Sequence, residues 1–150
     1  MSDVHSPSQR SRNMAAIKGK NTKPELIIRS GLHKRGFRFR LHQKDIPGKP
    51  DLFLAKYRAA IFIHGCFWHR HECELFKWPK TRPEFWRQKI DANHTRDVTN
   101  RGELLARGFR VLYVWECALR GQTKMSLECL LSDIADWIHS TSSFNEIPAA

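Results

Sequence analysis

The sequence predicts an α/β protein, a central sheet flanked by helices. Three observations carry this. Apolar residues recur at helical spacing near both ends, as Leu26, Ile27 and Leu32, then as Leu127, Leu130, Leu131, Ile134 and Ile138. Two short runs, Ala59 to Ile63 and Phe109 to Trp115, have the continuous apolar, β-branched and aromatic character of buried strands. Helical and strand segments alternate within 150 residues, 41% of them apolar, enough for one domain with its own core.

The elements follow in order. Residues 1–21 carry Arg10, Arg12, Lys18 and Lys20 against Asp3 alone, with Ser6, Pro7 and Ser8 among them. This is either a disordered basic tail or an arm that orders on a DNA backbone. Thr22-Lys23-Pro24-Glu25 is a capping box with Pro in the first turn, opening a helix toward Gly36. Phe37, Phe39 and Leu41 alternate with Arg38 and Arg40, which is strand periodicity, and Ile46-Pro47-Gly48-Lys49-Pro50 is a turn. Asp51 to Leu54 and Ala59 to His64 are the next two strands, the second apolar enough to lie centrally. Pro83 begins a long helix carrying Phe85, Trp86, Ile90, Val98 and Leu105 that ends near Gly108. A fourth strand follows at Phe109 to Trp115, then a last amphipathic helix packed on the sheet. A folded domain over 22–139 and a frayed tail over 140–150 complete the expected organisation.

Twenty-six Lys and Arg against 15 Asp and Glu leave a net charge of +11. That favours a polyanionic partner, of which nucleic acid is the commonest. The longest apolar run, Ala59 to Ile63, is too short to cross a bilayer, and Met1 to Gln9 has no apolar signal-peptide core. The chain reads as cytoplasmic or nucleoid-associated, with no membrane partner.

The four cysteines lack an export context for disulfides. Cys66, His71 and Cys73 fall within eight residues, and Cys117 stands just past the fourth strand. Three thiolates and an imidazole make the closed tetrahedral set that structural zinc prefers. The competing reading is a set of unrelated thiols and a surface histidine. Spacing alone does not choose His71 over His69 as the ligand. Cys129 is expected to be a small core residue of the last helix.

Asp51 starts one strand and His64 ends the next, so Asp51 and the loop from His64 to His69 are candidates for one site. Phosphodiester hydrolysis needs a divalent ion, an activated water and charge stabilisation. A carboxylate suits magnesium, and His64 or His69 could move protons near neutral pH. Taken alone, Asp51 is equally a turn residue after Pro50. Periodicity by itself buries Trp86, whereas Phe67 and Trp68, adjacent in a ligand-bearing loop, cannot both point easily into a core.

The stretch His64-Gly-Cys-Phe-Trp-His-Arg-His-Glu-Cys73 closely resembles the signature of very-short-patch mismatch repair endonucleases. So do Pro47-Gly-Lys-Pro-Asp51, Arg82-Pro-Glu-Phe-Trp86 and Val114-Trp-Glu-Cys-Ala-Leu-Arg-Gly121, and Arg12-Asn-Met14 is similar to the family's N-terminal arm. The resemblance implies a restriction-endonuclease-like fold, a central mixed sheet flanked by helices, with a structural zinc site. It implies a nick 5′ to the thymine of a T:G mismatch arising from deaminated 5-methylcytosine, initiating very-short-patch repair. Asp51 is implied to bind catalytic Mg²⁺ with help from the backbone carbonyl of Ile63. His69 is implied to be the general base, with His64, Glu25 and Asp97 ordering water and the metal shell. Glu25 otherwise completes the capping box, and Asp97 otherwise pairs with Arg101 four residues on. Cys66, His71, Cys73 and Cys117 are implied to hold structural Zn²⁺.

Phe67, Trp68 and Trp86 are implied to intercalate beside the mismatch, with Met14 and Ile17 pressing from the opposite groove. Arg10, Arg12, Lys18 and Lys89 are implied DNA contacts. The resemblance further suggests monomeric action, general mismatch-repair proteins and a repair polymerase as partners. Two rival readings stand beside it: a sequence-specific restriction endonuclease, and a non-catalytic zinc-containing DNA-binding module.

Overall fold

The computed structural model describes residues 22–149; the arm expected over 1–21 lies outside them. Helix α1 spans Lys23–Lys34. Strands β1 (Arg40–Leu41), β2 (Leu52–Leu54) and β3 (Ala59–His64) follow. Helix α2 (Pro83–Ala106) leads to β4 (Arg110–Trp115), and helix α3 (Leu127–His139) to β5 (Phe144–Ile147). The described residues thus form a five-stranded mixed sheet with three helices. Its order is β1-β2-β3-β4-β5, antiparallel across the first two pairings and parallel across the last two. Parallel neighbours need long crossovers, and α2 and α3 lie in those connections.

The core is continuous through β3 and β4, whose Ile61, Leu112 and Val114 are fully buried against Ile28, Leu32, Leu130 and Ile134 of α1 and α3. In α1 the buried stripe is Glu25, Ile28 and Leu32; Leu26, expected to face inward, is exposed. The helix stops where Gly36 takes φ +94, a backbone state that glycine adopts without a Cβ clash. In α3 the stripe is Leu130, Leu131, Ile134, Trp137 and Ile138, and Cys129 is exposed beside it, not a core residue. On α2 only Ile90 and Leu104 are buried, with Phe85 and Val98 exposed.

The largest departure is at the C-terminus. Residues 144–147, expected within a frayed tail, form the β5 edge strand, pairing Val111 with Phe144 and Val114 with Ile147. The cause is a contact remote in sequence. The Arg110 guanidinium donates to the carbonyls of Trp137, Ile138 and Ser142, tying the end of α3 to the start of β5. A cation on orphaned helix-terminal carbonyls is favourable, and nothing in Ser140-Thr-Ser-Ser143 announces it. The first strand is also shorter than expected, two residues where Phe37 to Leu41 alternates.

Candidate active site and metal clusters

Both candidate sites are set by the parallel pairing of β3 and β4. His64 pairs with Trp115, so the residues two places beyond, Cys66 and Cys117, leave the sheet side by side. A compact turn then folds back, with the His71 N–H donating to the Cys66 carbonyl at 2.9 Å and the His69 N–H to the Gly65 carbonyl at 3.2 Å. Cys66 Sγ lies 3.5 Å and Cys117 Sγ 3.6 Å from His71 Nδ1. With Cys73, these donors fall within 4.8 Å of one another. The His71 ring stacks on Trp115, centroids 4.0 Å apart at 7°, which fixes its orientation. His71, not His69, therefore joins the thiols.

The donor set fits a metal on chemical grounds. Burial pushes the Cys66 and Cys117 thiols up and the His71 imidazole down. Two sheltered thiols beside a third and a neutral imidazole are what a soft or borderline cation would convert to ligands. The group could hold a metal ion.

On the other side of His64 opens a cleft of about 180 Å³, lined among others by Asp51, Ile63, His64, His69, Asp97 and Arg101. In the antiparallel register Leu52 faces Ile61, so Asp51 runs beyond the end of β2 and accepts from the Ile63 N–H at 2.7 Å. Burial, reinforced by the Glu25 charge and opposed by that hydrogen bond, pushes the Asp51 carboxyl up to about 7. Glu25 is 1% exposed. Its N–H donates to Thr22 Oγ1 as a capping box requires, but its carboxylate turns inward. There it accepts from Arg29 Nη1 at 2.7 Å and meets His42 Nε2 at 3.0 Å.

Helix α2 supplies one face to the same region. Trp86, Ile90, Asn93 and Asp97 are spaced by four, three and four residues, so they share that face over about 16 Å. Asp97 Oδ2 lies 2.5 Å from His69 Nδ1, replacing the alternative pairing with Arg101, whose guanidinium lies over the Phe144 ring at 4.6 Å. Asn93 donates to the Trp68 carbonyl at 3.2 Å. The His69 ring stacks on His64, centroids 3.7 Å apart at 6°. His64 is buried, so its pKa falls well below the ordinary histidine value, and its Nδ1 has no hydrogen-bond partner among the described residues.

Phe67, Trp68 and Trp86 form one aromatic cluster, with centroids 5.2 to 5.8 Å apart. All three are half-buried, so Trp86 is not the core residue that periodicity alone suggests. The cluster continues through Phe76 to Trp78. Lys89 is exposed on α2, three residues past Trp86. Arg10, Arg12, Met14, Ile17 and Lys18 lie outside the described residues. Sequence reasoning missed Arg29, His42, Lys49, Asn100 and Tyr113. Lys49 sits in a turn and His42 in the bend just after β1, and Arg29, Asn100 and Tyr113 lie on elements whose helical or strand pattern explains them without a site.

A family model described as DNA mismatch endonuclease Vsr matches residues 2–75. The chain is 47% identical over 138 residues to the DNA mismatch endonuclease Vsr of Escherichia coli, covering 92% of this chain and 88% of that one. It is 45% identical over 136 residues to the Type II nicking enzyme V.XorIIP of Xanthomonas oryzae, covering 91% and 98%. It is 43% identical over 138 residues to the Type II nicking enzyme V.NmeAIP of Neisseria meningitidis, covering 91% and 99%. Similarity of this extent, running through both the thiol cluster and the cleft, places the chain in the DNA mismatch endonuclease Vsr family.

Proposed function

We propose that this protein is a DNA mismatch endonuclease that nicks one strand of double-stranded DNA 5′ to the thymine of a T:G mismatch. Its fold is read as restriction-endonuclease-like, and the chain acts as a monomer. The observation that carries the reading is a single cleft that brings Asp51 together with the His69–Asp97 pair, His69 standing on the loop that also bears Phe67 and Trp68. Zn²⁺ is the ion proposed for Cys66, His71, Cys73 and Cys117, where three thiolates and an imidazole suit a structural tetrahedron. Asp51, with the Ile63 carbonyl, is proposed to hold Mg²⁺, which when bound supplies positive charge at the phosphate and polarises a water.

The chain's own residues do the rest. Asp97 accepts the His69 Nδ1–H, which fixes the tautomer and leaves Nε2 as the atom that takes a proton from water. His64, neutral because it is buried, holds the His69 ring by stacking on it. Lys49 and Arg101 give the cleft positive charge for a phosphate. Hydrolysis leaves a 3′-hydroxyl and a 5′-phosphate. Phe67, Trp68 and Trp86 insert beside the mismatch, where a mispaired step costs less to unstack than a matched one. The arm, with Met14 and Ile17, presses from the opposite groove, while Arg10, Arg12 and Lys18 bind backbone and Lys89 contacts base edges or phosphate.

The test compares matched and T:G duplexes with and without Mg²⁺. The expected result is a Mg²⁺-dependent nick in the T:G duplex alone, lost in Asp51→Ala and His69→Ala. Cutting of matched duplex on both strands would identify a restriction enzyme instead. Binding with no Mg²⁺-dependent cleavage would identify a DNA-binding module. Wild-type rates in both variants would overturn the catalytic assignment.

A further inference from the structure

Asp51 of the cleft and the buried Glu25 behind it have a third companion that neither the catalytic scheme nor the thiol cluster uses. His42 follows β1 and adopts φ +49, a left-handed backbone uncommon outside glycine but accessible to histidine. Its N–H donates to the Asp51 carbonyl at 3.2 Å, which anchors the residue beside β2. The ring consequently reaches between two carboxylates. Nε2 lies 3.0 Å from Glu25 Oε1 and 3.9 Å from Asp51 Oδ1. One donor atom from each of Glu25, His42 and Asp51 falls within 4.8 Å of the other two.

Those separations suit a shared ion. Around a cation with ligand bonds of about 2.1 Å, neighbouring donors lie roughly 3 Å apart and opposite donors roughly 4.2 Å. Glu25 Oε1 and Asp51 Oδ1 are the oxygens that face His42, while Glu25 Oε2 accepts from Arg29 and Asp51 Oδ2 from the Ile63 N–H. We infer that His42 contributes an imidazole nitrogen to the cation site at Asp51, making it a mixed nitrogen–oxygen site that serves Mg²⁺ and binds Mn²⁺ more tightly than an all-oxygen site would. Magnesium seeks oxygen ligands and keeps its waters, whereas imidazole favours the transition ions. The inference rests on Asp51 being a cation ligand, as proposed above. The competing role for His42 is a hydrogen-bonded tether that only holds Glu25 in place.

Electron spin echo spectroscopy of Mn²⁺ bound to the full-length protein, with its zinc retained, separates the two roles without reference to cleavage. A histidine ligand gives a ¹⁴N coupling, which ¹⁵N-histidine labelling of the wild-type chain should replace by a ¹⁵N coupling. In His42→Gln, which can still hydrogen-bond Glu25, the coupling should vanish. The Mn²⁺ over Mg²⁺ affinity ratio should fall there by roughly tenfold, the lower end of what loss of one metal-site group produces. In His69→Gln both should persist. Mn²⁺ binding that depends on Asp51 but carries no histidine coupling, or a coupling unchanged in His42→Gln, would overturn this inference alone. Mn²⁺ binding unaffected by Asp51→Ala would overturn the cation site and the inference with it.

Discussion

The thiol cluster and the carboxylate cleft adjoin each other at the ends of β3 and β4, yet they are assembled in opposite ways. Three of the four thiol-cluster donors fall between residues 66 and 73, and strand register brings in the fourth, Cys117. The cleft draws Asp51, His69 and Asp97 from the start of β2, the ligand loop and α2, and behind Asp51 stand Glu25 of α1 and His42 of the segment after β1. The first set is soft, compact and partly buried. The second is hard, and its cavity is large enough for water. A local cluster can fix a loop, while a dispersed one reports that the whole domain has folded correctly. The proposed function uses both, because His69 stands on the same loop as Cys66, His71 and Cys73 and faces the cleft.

The comparison breaks most visibly at the thiols. Cys66→Ala should abolish stoichiometric zinc and destabilise the protein by on the order of 5 kcal/mol or more, since metal-binding free energy is folding free energy in such sites. Zinc content and thermal melting read this out, and a zinc-free variant that melts like the parent would remove the structural role. The next effect lies in the cleft. His69→Ala should slow nicking of a T:G duplex roughly 10²- to 10⁴-fold, as loss of a general base does, with zinc content unchanged. Asp97→Asn should act in the same direction, because Nδ1 loses the carboxylate that fixes its tautomer. A drop in zinc in either variant would mean that the two regions are one.

A third prediction concerns pH. Asp51 titrates near 3.8 when unfolded and at about 7 when folded, so the folded chain retains a proton over that interval. The stability this confers is complete below about pH 4, declines as pH rises, and is gone above about 7. Without added Mg²⁺, Asp51→Asn should therefore gain on the parent by on the order of 2–3 kcal/mol between pH 5 and 8. Parallel melting curves over that range would show that Asp51 is not a sheltered carboxylate. The smallest effect is expected at Cys129, which is exposed on α3 away from the other three thiols. Cys129→Ser should leave zinc content unchanged and stability within about 0.5 kcal/mol. A lost zinc would place Cys129 in the cluster.

Legibility followed sequence distance. The central strand and the last helix carry their patterns within a few residues, and the structure reproduces Ala59–His64 as β3 and begins the last helix at Leu127. The long helix is legible from its Pro83 start, not from an apolar stripe, since only Ile90 and Leu104 of it are buried. The expectation for residues 140–150 failed because the contact that orders β5 comes from Arg110, some thirty residues earlier. Cys129 was misplaced because one position around a helix separates a buried face from an exposed one, and apolar neighbours do not fix which side of the edge a small residue occupies.

By itself, the sequence determined an α/β chain of strong positive charge and a metal-competent run of cysteine and histidine, through patterns shorter than one element. Tertiary structure decided that His71 and not His69 joins the thiols, that the Glu25 carboxylate turns inward from its helix start, and that His42 stands between two carboxylates. The physical reason is that ligand geometry is set by sheet register and helix docking. Those depend on pairings between distant residues that no local period encodes.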